Sequence, residues 1–178
     1  MTTTTQAATF TIDPVHSHVE FAIRHLMLSK VRGRFSTVSG SLALEADGTP
    51  AAVNADIEVD SIDTRDAQRD GHLKSPDFFD AATFTHIRFA STGVTKDGDK
   101  IHIAGNLEIH GVTQPVVLKA EFLGRATDPW GKKRVGFEAT TTINRKDFGM
   151  SFNQALETGG VMLGETVEID LQIEAVAA

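Results

Sequence analysis

From Thr166 to Ala175 the chain reads T-V-E-I-D-L-Q-I-E-A, with Val167, Ile169, Leu171 and Ile173 on one parity and Glu168, Asp170, Gln172 and Glu174 on the other. Strict period-two alternation predicts a β-strand with one dry and one hydrated face. The pattern recurs. Val53, Ala55, Ile57 and Val59 oppose Asn54, Asp56, Glu58 and Asp60, while Ile101, Ile103, Leu107 and Ile109 oppose His102, Asn106, Glu108 and His110. Val116, Leu118, Ala120 and Phe122 oppose Lys119, Glu121 and Arg125, with Val117 and Leu123 as exceptions. Val135, Phe137 and Ile143 oppose Glu138, Thr140 and Asn144, and residues 19–28, 31–45 and 84–96 supply earlier candidates, about eight strands altogether. Glycine and aspartate turn signals at Asp47, Asp97, His110 and Asp128 separate them.

Only two insertions interrupt this meander. Residues 60–83 carry T-R-D-A-Q-R-D-G-H-L-K-S-P-D-F-F-D, which predicts a short polar helix ending near Ser75-Pro76 and an inward-packing Phe78-Phe79 pair. Residues 145–164 carry Phe148, Met150, Phe152, Leu156 and a Gly159-Gly160 pair. Neither can cover an eight-stranded sheet, so the sheet must pack on itself. The expected fold is all-β: an eight-stranded antiparallel up-and-down barrel, lipocalin-like, with one short helical insertion. It forms a single domain over 9–178 after a disordered N-terminus, 1–8.

In an up-and-down meander successive connections alternate between the two ends. The turn between Leu28 and Val31, both insertions and the His110 turn therefore share one end, and the Asp47, Asp97 and Asp128 turns share the other with Asp13-Pro14. Two long connections at one end predict a gated mouth above a plain base. The inward parity also carries small residues at mid-strand: Ala55, Ser91, Gly105, Ala120 and Ala139. Either they leave a lumen for a slim ligand or they relieve crowding where strands coil. The rest of the inward set is aliphatic and phenylalanine, which suits a long apolar tail.

Composition excludes several classes. The 178 residues are 40 % hydrophobic and 23 % charged, as in an ordinary globule, and no apolar run reaches the roughly 18 residues of a membrane span. With 24 acids against 17 bases the net charge is −7, which disfavours nucleic acid. No cysteine is present, so thiolate chemistry is absent. The start, M-T-T-T-T-Q-A-A-T-F, has neither a basic nor an apolar signal region, and the expected compartment is the cytoplasm. His16 and His18 form an H-x-H pair without a third ligand, which reads as structural hydrogen bonding with Asp13 and Ser17 rather than a metal site. No G-x-S-x-G elbow, H-E-x-x-H or phosphate loop appears, and nothing gives a reason to expect an enzyme.

F-T-I-D-P-V-H-S-H-V-E-F-A-I-R-H from Phe10, S-K-V-R-G-R-F from Ser29 and R-D-G-H-L-K-S-P-D-F-F-D from Arg69 resemble motifs of the YceI-like family of polyisoprenoid-binding, lipocalin-like barrels. So do G-N-L-E-I-H-G-V-T-Q-P-V from Gly105, D-P-W-G-K-K-R-V-G-F-E-A-T-T-T-I-N-R-K-D-F-G-M from Asp128 and E-T-G-G-V-M-L-G-E-T-V-E-I from Glu157. Each motif alone is weak, but in this order along one chain they are specific. The resemblance implies an apolar pore that holds an isoprenoid chain, such as a polyprenyl phosphate or an isoprenoid quinone, for carriage or storage. It implies no cofactor besides that lipid. Dimerisation is implied by the resemblance alone; transient membrane contact, without a membrane span, is a separate expectation.

The expected tail contacts are Phe21, Phe35, Ile87, Phe89, Ile103, Leu107, Leu118, Ala120, Phe122, Phe137, Ala139, Ile143 and Leu171 on the strands, and Phe78, Phe79 and Phe148 in the insertions. The mouth collects Arg65, Arg69, His72, Lys74, His110, Arg145 and Lys146, of which Arg69, His72, His110 and Arg145 are the head-group candidates, with His25 as a polar clamp nearby. Two alternatives stand beside carriage: a lipid-modifying enzyme using the same lumen, and a stress-associated interaction module whose barrel is packed shut.

Overall fold

The computed structural model describes residues 7–178. Its strands are β1 (Ala8–Ile12), β2 (His18–His25), β3 (Ser29–Phe35), β4 (Val38–Leu44), β5 (Pro50–Glu58), β6 (Ile62–Asp63), β7 (His86–Asp97), β8 (Lys100–Ile109), β9 (Val112–Thr127), β10 (Lys133–Asn144) and β11 (Leu163–Ala177), with one helix, α1 (Ala67–Lys74). β1 and β2 both pair antiparallel with β11, so they form one interrupted stave; β3 and β4 form the next, paired with β2 and β1 respectively. From β4 the ladder runs through β5, β7, β8, β9 and β10 to β11. This is a closed antiparallel barrel of eight staves.

The two interruptions have identifiable causes. Between β3 and β4, the N–H groups of Ser36 and Thr37 turn to the Ser61 carbonyl and hydroxyl, and the Thr37 carbonyl accepts from Glu58 N–H. The single strand expected over 31–45 is therefore broken into β3 and β4, which bend around the 3-10 turn at Val59–Ser61. Between β1 and β2, Asp13 accepts from Val15 N–H, and the Ser17 hydroxyl exchanges bonds with the Glu174 backbone. β1 itself corrects the expected disordered stretch 1–8 at its end: Ala8 pairs with Leu44. Residues 1–6 lie outside the described part. The first hairpin turn occupies 26–28, not 28–31, with Leu26 and Met27 both at positive φ.

The parity expectation for the remaining connections holds. Residues 26–28, 59–85, 110–111 and 145–162 cap one end, and 45–49, 98–99 and 128–132 the other. Buried side chains of nearly every stave converge on one interior, from Phe10 and Ile12 through Val53, Ile101 and Val135 to Ala175. A bulge leaves Leu123 outside the β9–β10 pairing, between Gly136↔Gly124 and Phe137↔Phe122; like Val117 it is exposed because it stands on the outward parity of β9.

The base is closed by charge. Arg134 lies 2.7 Å from Asp13, 2.9 Å from Asp128 and 2.8 Å from Glu174. Hydrogen bonding from Arg134, with His16 second, holds the Asp13 carboxyl well below the usual carboxylate range. Beside it the Phe122 ring packs on Phe137 and against Gly48, where a Cβ would come within 2.5 Å of that ring. The Arg125 guanidinium stands 5.6 Å from the Phe122 centroid and donates to the carbonyls of Glu45 and Ala46.

Candidate functional site: an apolar cavity under the mouth

Above this floor lies a cavity of about 410 Å³, within the range of small-molecule sites. Ala120 of β9 and Ala139 of β10 are direct cross-strand partners, and both line it with Ala55 of β5. Two adjacent strands thus withhold side-chain volume at the same height. Gly105 and Ser91 do something else. A Cβ at Gly105 would lie 2.4 Å from the Phe89 ring, so this glycine seats an aromatic side chain, and the Ser91 hydroxyl accepts from Val53 N–H beside the β7 bulge. The small residues therefore divide: the alanines border the hollow, while Gly105 and Ser91 serve the wall.

Of the expected tail contacts, Phe21, Phe35, Phe78, Phe79, Ile87, Phe89, Ile103, Leu107, Leu118, Ala120, Phe137, Ala139, Ile143 and Leu171 line the cavity. Phe122 does not, because it belongs to the floor beneath Phe137. Phe148 does not either: it is 1 % exposed and packs at the root of the 145–162 connection. Wall residues that the alternation did not single out include Thr64, Leu73, Thr141, Met150 and Met162. Thr64 and Leu73 flank or belong to the helical insertion and the two methionines sit in the other connection, where no period-two signal exists to find them.

The roof is made where the two long connections meet. Asp66 caps α1 by accepting from Arg69 N–H, and the Ser75 N–H closes it on the His72 carbonyl. The chain after α1 brings Phe79 edge-on to Phe35, which in turn packs on Phe21. His72, Phe78 and Phe152 form a triangle of rings, with centroids 5.1, 4.9 and 5.3 Å apart, joining the helical insertion to the 145–162 connection.

Four polar wall residues matter chemically. His72 lies at the rim, 2.9 Å from Asp77. Arg69 donates to the Thr64 hydroxyl and carbonyl, and that hydroxyl donates to Asp70. His25 also reaches the wall. Arg145 is 2 % exposed and is no surface cation. It opens the 3-10 turn Arg145–Phe148, which Gly149 closes in the left-handed conformation. Its Nε donates to the Gly164 carbonyl and its Nη1 to those of Met150 and Phe152, each at 2.8 Å. Its Nη2 is buried with no hydrogen-bond partner among the described residues. Burial pushes this guanidinium below the usual arginine value, with Glu165 opposing the shift, while Lys146 pairs directly with Glu165 at 2.6 Å.

His110 stands apart from the cavity wall, with its Nδ1 3.2 Å from the Phe148 carbonyl and its ring against Phe84. Of the other mouth cations, Lys74 pairs with Asp60, and Arg65 faces the outer surface. At the base, His16 sits in a turn 2.9 Å from Asp13, and ligand atoms of Asp13, His16 and Glu174 lie within 4.8 Å of one another. Arg134 already bonds both of those carboxylates, which removes the charge a cation would need. His18 lies 3.7 Å from Glu20, apart from that group. No helix among the described residues is long and apolar enough to cross a membrane.

Comparison with known proteins agrees with this geometry. The chain is 45 % identical over 149 residues to the UPF0312 protein Ent638_1570 of Enterobacter sp. strain 638, covering 82 % of this chain and 77 % of that one. It is 43 % identical to Protein YceI of Salmonella newport, covering 82 % and 78 %. Among solved structures, the Burkholderia cenocepacia BcnA structure superposes with a TM-score of 0.79 at 20 % identity, covering 92 % of this chain and 98 % of that one. A Campylobacter jejuni YCEI protein gives 0.75 at 29 %, covering 87 % and 90 %. A domain from Saccharophagus degradans, described as polyisoprenoid binding and implicated in plant cell wall breakdown, gives 0.68 at 18 %, covering 97 % and 100 %. Residues 10–175 match the YceI-like domain, and the chain belongs to that family.

Proposed function

We propose that the barrel binds an isoprenoid lipid, with its apolar chain in the cavity and an oxygenated, preferably anionic, end at Arg145. One observation carries this reading: an apolar hollow whose wall includes a buried cation, Arg145, with an unused donor, Nη2, and no direct carboxylate partner among the described residues. A buried donor without an acceptor costs about 1–3 kcal/mol, and a charged one more. A modest turn of the side chain that brought Nη2 to the cavity would let a ligand oxygen remove that cost. Similarity to a domain described as polyisoprenoid binding supports the isoprenoid class. The reading is carriage or storage without chemical change: Arg69 and Arg145 are fixed by hydrogen bonds to Thr64 and to backbone carbonyls, which suits them to orient an anion rather than move protons.

An anion at Arg145 gains charge-assisted bonds, whereas a quinone carbonyl gains bonds of about half that strength. A polyprenyl phosphate is therefore preferred over an isoprenoid quinone of equal chain length. Native mass spectrometry and organic extraction of protein from an isoprenoid-producing host test the reading directly. A co-purifying isoprenoid is expected. Its absence, together with no uptake of added polyprenyl phosphate or quinone, overturns the proposal in favour of a shut barrel.

A further inference from the structure

The turn between β2 and β3 is built of Leu26, Met27 and Leu28, exposed by 37, 68 and 80 %. Tight turns ordinarily use glycine, asparagine or aspartate where φ is positive, yet here Leu26 and Met27 adopt φ of 53° and 61°. The backbone is nonetheless held: Leu26 N–H donates to the Met162 carbonyl and Leu28 N–H to that of His25. Three bulky apolar side chains therefore project from a fixed support, and they do so at the end of the barrel where the cavity opens. Val161, next to the Met162 anchor, extends the apolar surface.

Cations stand below this tip. Arg24 and Lys30 are cross-strand partners, and Arg32 lies one pleat further along β3. Lys30 pairs with Glu168 at 2.7 Å, and Arg24 and Arg32 have no ion-pair partner among the described residues. Three cations thus act on Glu168, while Glu20 and Asp170 share an outer groove with Arg32 further down the wall.

We infer that the Leu26–Met27–Leu28 turn is a membrane-docking tip, inserting its apolar side chains between lipid head groups while Arg24 and Arg32 meet the phosphates of an anionic bilayer surface. An apolar wedge flanked by basic residues is the chemistry of interfacial binding. A second copy of the chain fits less well, because a two-fold contact through this tip would bring both sets of cations together. The inference gives the cavity a donor or acceptor bilayer at its mouth, but it stands or falls apart from the identity of the ligand.

Flotation of the full-length protein with isoprenoid-free vesicles tests it. Association is expected with phosphatidylcholine vesicles containing phosphatidylglycerol, and it should weaken in high salt. Each of Arg24→Gln and Arg32→Gln should weaken it by roughly fivefold. The exposed-site double variant Met27→Ser/Leu28→Ser should lose about tenfold or more. Trp130 is the only tryptophan and lies in a base turn, so its emission should stay unchanged on vesicle addition. A Met27→Trp/Trp130→Phe variant should instead shift to the blue. Ala139→Phe, which fills the cavity, should float like the parent, separating this test from the ligand reading. No flotation with anionic vesicles, undiminished flotation of the double serine variant, or loss of a dimer as that variant's only change would overturn the inference.

Discussion

The two ends of this barrel spend their polar groups differently. At the base, Arg134 meets three carboxylates, Arg125 lies over Phe122, and short turns of the Asp-Gly kind close the strands. Charges there are answered within the protein. At the mouth, a buried guanidinium keeps an unused donor, and a triangle of rings rather than an ion network joins the covering segments; exposed apolar side chains do not separate the ends, since Val15 and Trp130 at the base are as exposed as Leu28. An end whose charges satisfy one another is a closure, even with the Thr49 hydroxyl left without a partner among the described residues. An end that leaves groups unanswered is arranged for something outside the chain.

The sharpest way to break this contrast is to remove the mouth's foundation. Phe148→Ala empties a site that is 1 % exposed and should cost about 3–5 kcal/mol of stability by denaturant unfolding. A loss under about 1 kcal/mol would mean that the 145–162 connection can collapse over the gap and is not the rigid support described here. Next in size is closure of the lumen itself. Ala139→Phe and Ala120→Leu each fill the paired alanine gap between β9 and β10 and should abolish isoprenoid uptake while leaving the far-ultraviolet circular dichroism unchanged. Unchanged uptake in both variants would place the ligand elsewhere.

A finer test separates the head from the tail. Arg145→Ala would release three backbone carbonyls at once and confuse binding with folding. Arg145→Lys keeps the charge but cannot make the forked set of bonds. It should weaken polyprenyl phosphate binding about tenfold while changing binding of a plain hydrocarbon of equal length far less. Equal losses for both ligands would reduce Arg145 to a structural role.

Much of this architecture was legible from alternation alone. Parity placed both long connections at one end and put most of the wall residues inward, because a strand's side-chain direction is fixed by its period. What escaped depends on contacts between distant segments. β1 offers only Phe10 and Ile12 as an alternating pair, and its place in the barrel comes from pairing with β4 and β11. Arg145 read as one of several mouth cations; its burial arises because the carbonyls of residues 150, 152 and 164 converge on it. Phe122 has the correct parity for the lumen, but the turn at Gly48 lies beneath it, so its ring becomes floor. The tip moved to 26–28 because no glycine or asparagine marks it.

The smallest expected effect concerns the base in acid. Asp13, Asp47 and Asp128 have folded-state values below the ordinary one of 3.8, Asp47 at about 2, through bonds from Arg134, Thr49 and Lys132 respectively as the leading causes. A lowered carboxyl value means that the unfolded chain takes up protons first. Their stabilisation is therefore fully present above about pH 5, begins to fall near pH 4, and continues to fall through the folded values. Glu165 and Glu168 at the mouth shift the same way through Lys146 and Lys30, but each answers to a single direct lysine partner. Much of this is screened, since most of these groups are solvated, so the slope should be shallow. Melting temperature should thus stay level from pH 7 to 5 and decline between pH 4 and 2. Asp13→Asn, which removes the most strongly shifted of these carboxyls, should melt lower at pH 7 and decline less steeply in acid. A variant with the parent's full acid slope would show that the Arg134 network is not what the protons dismantle.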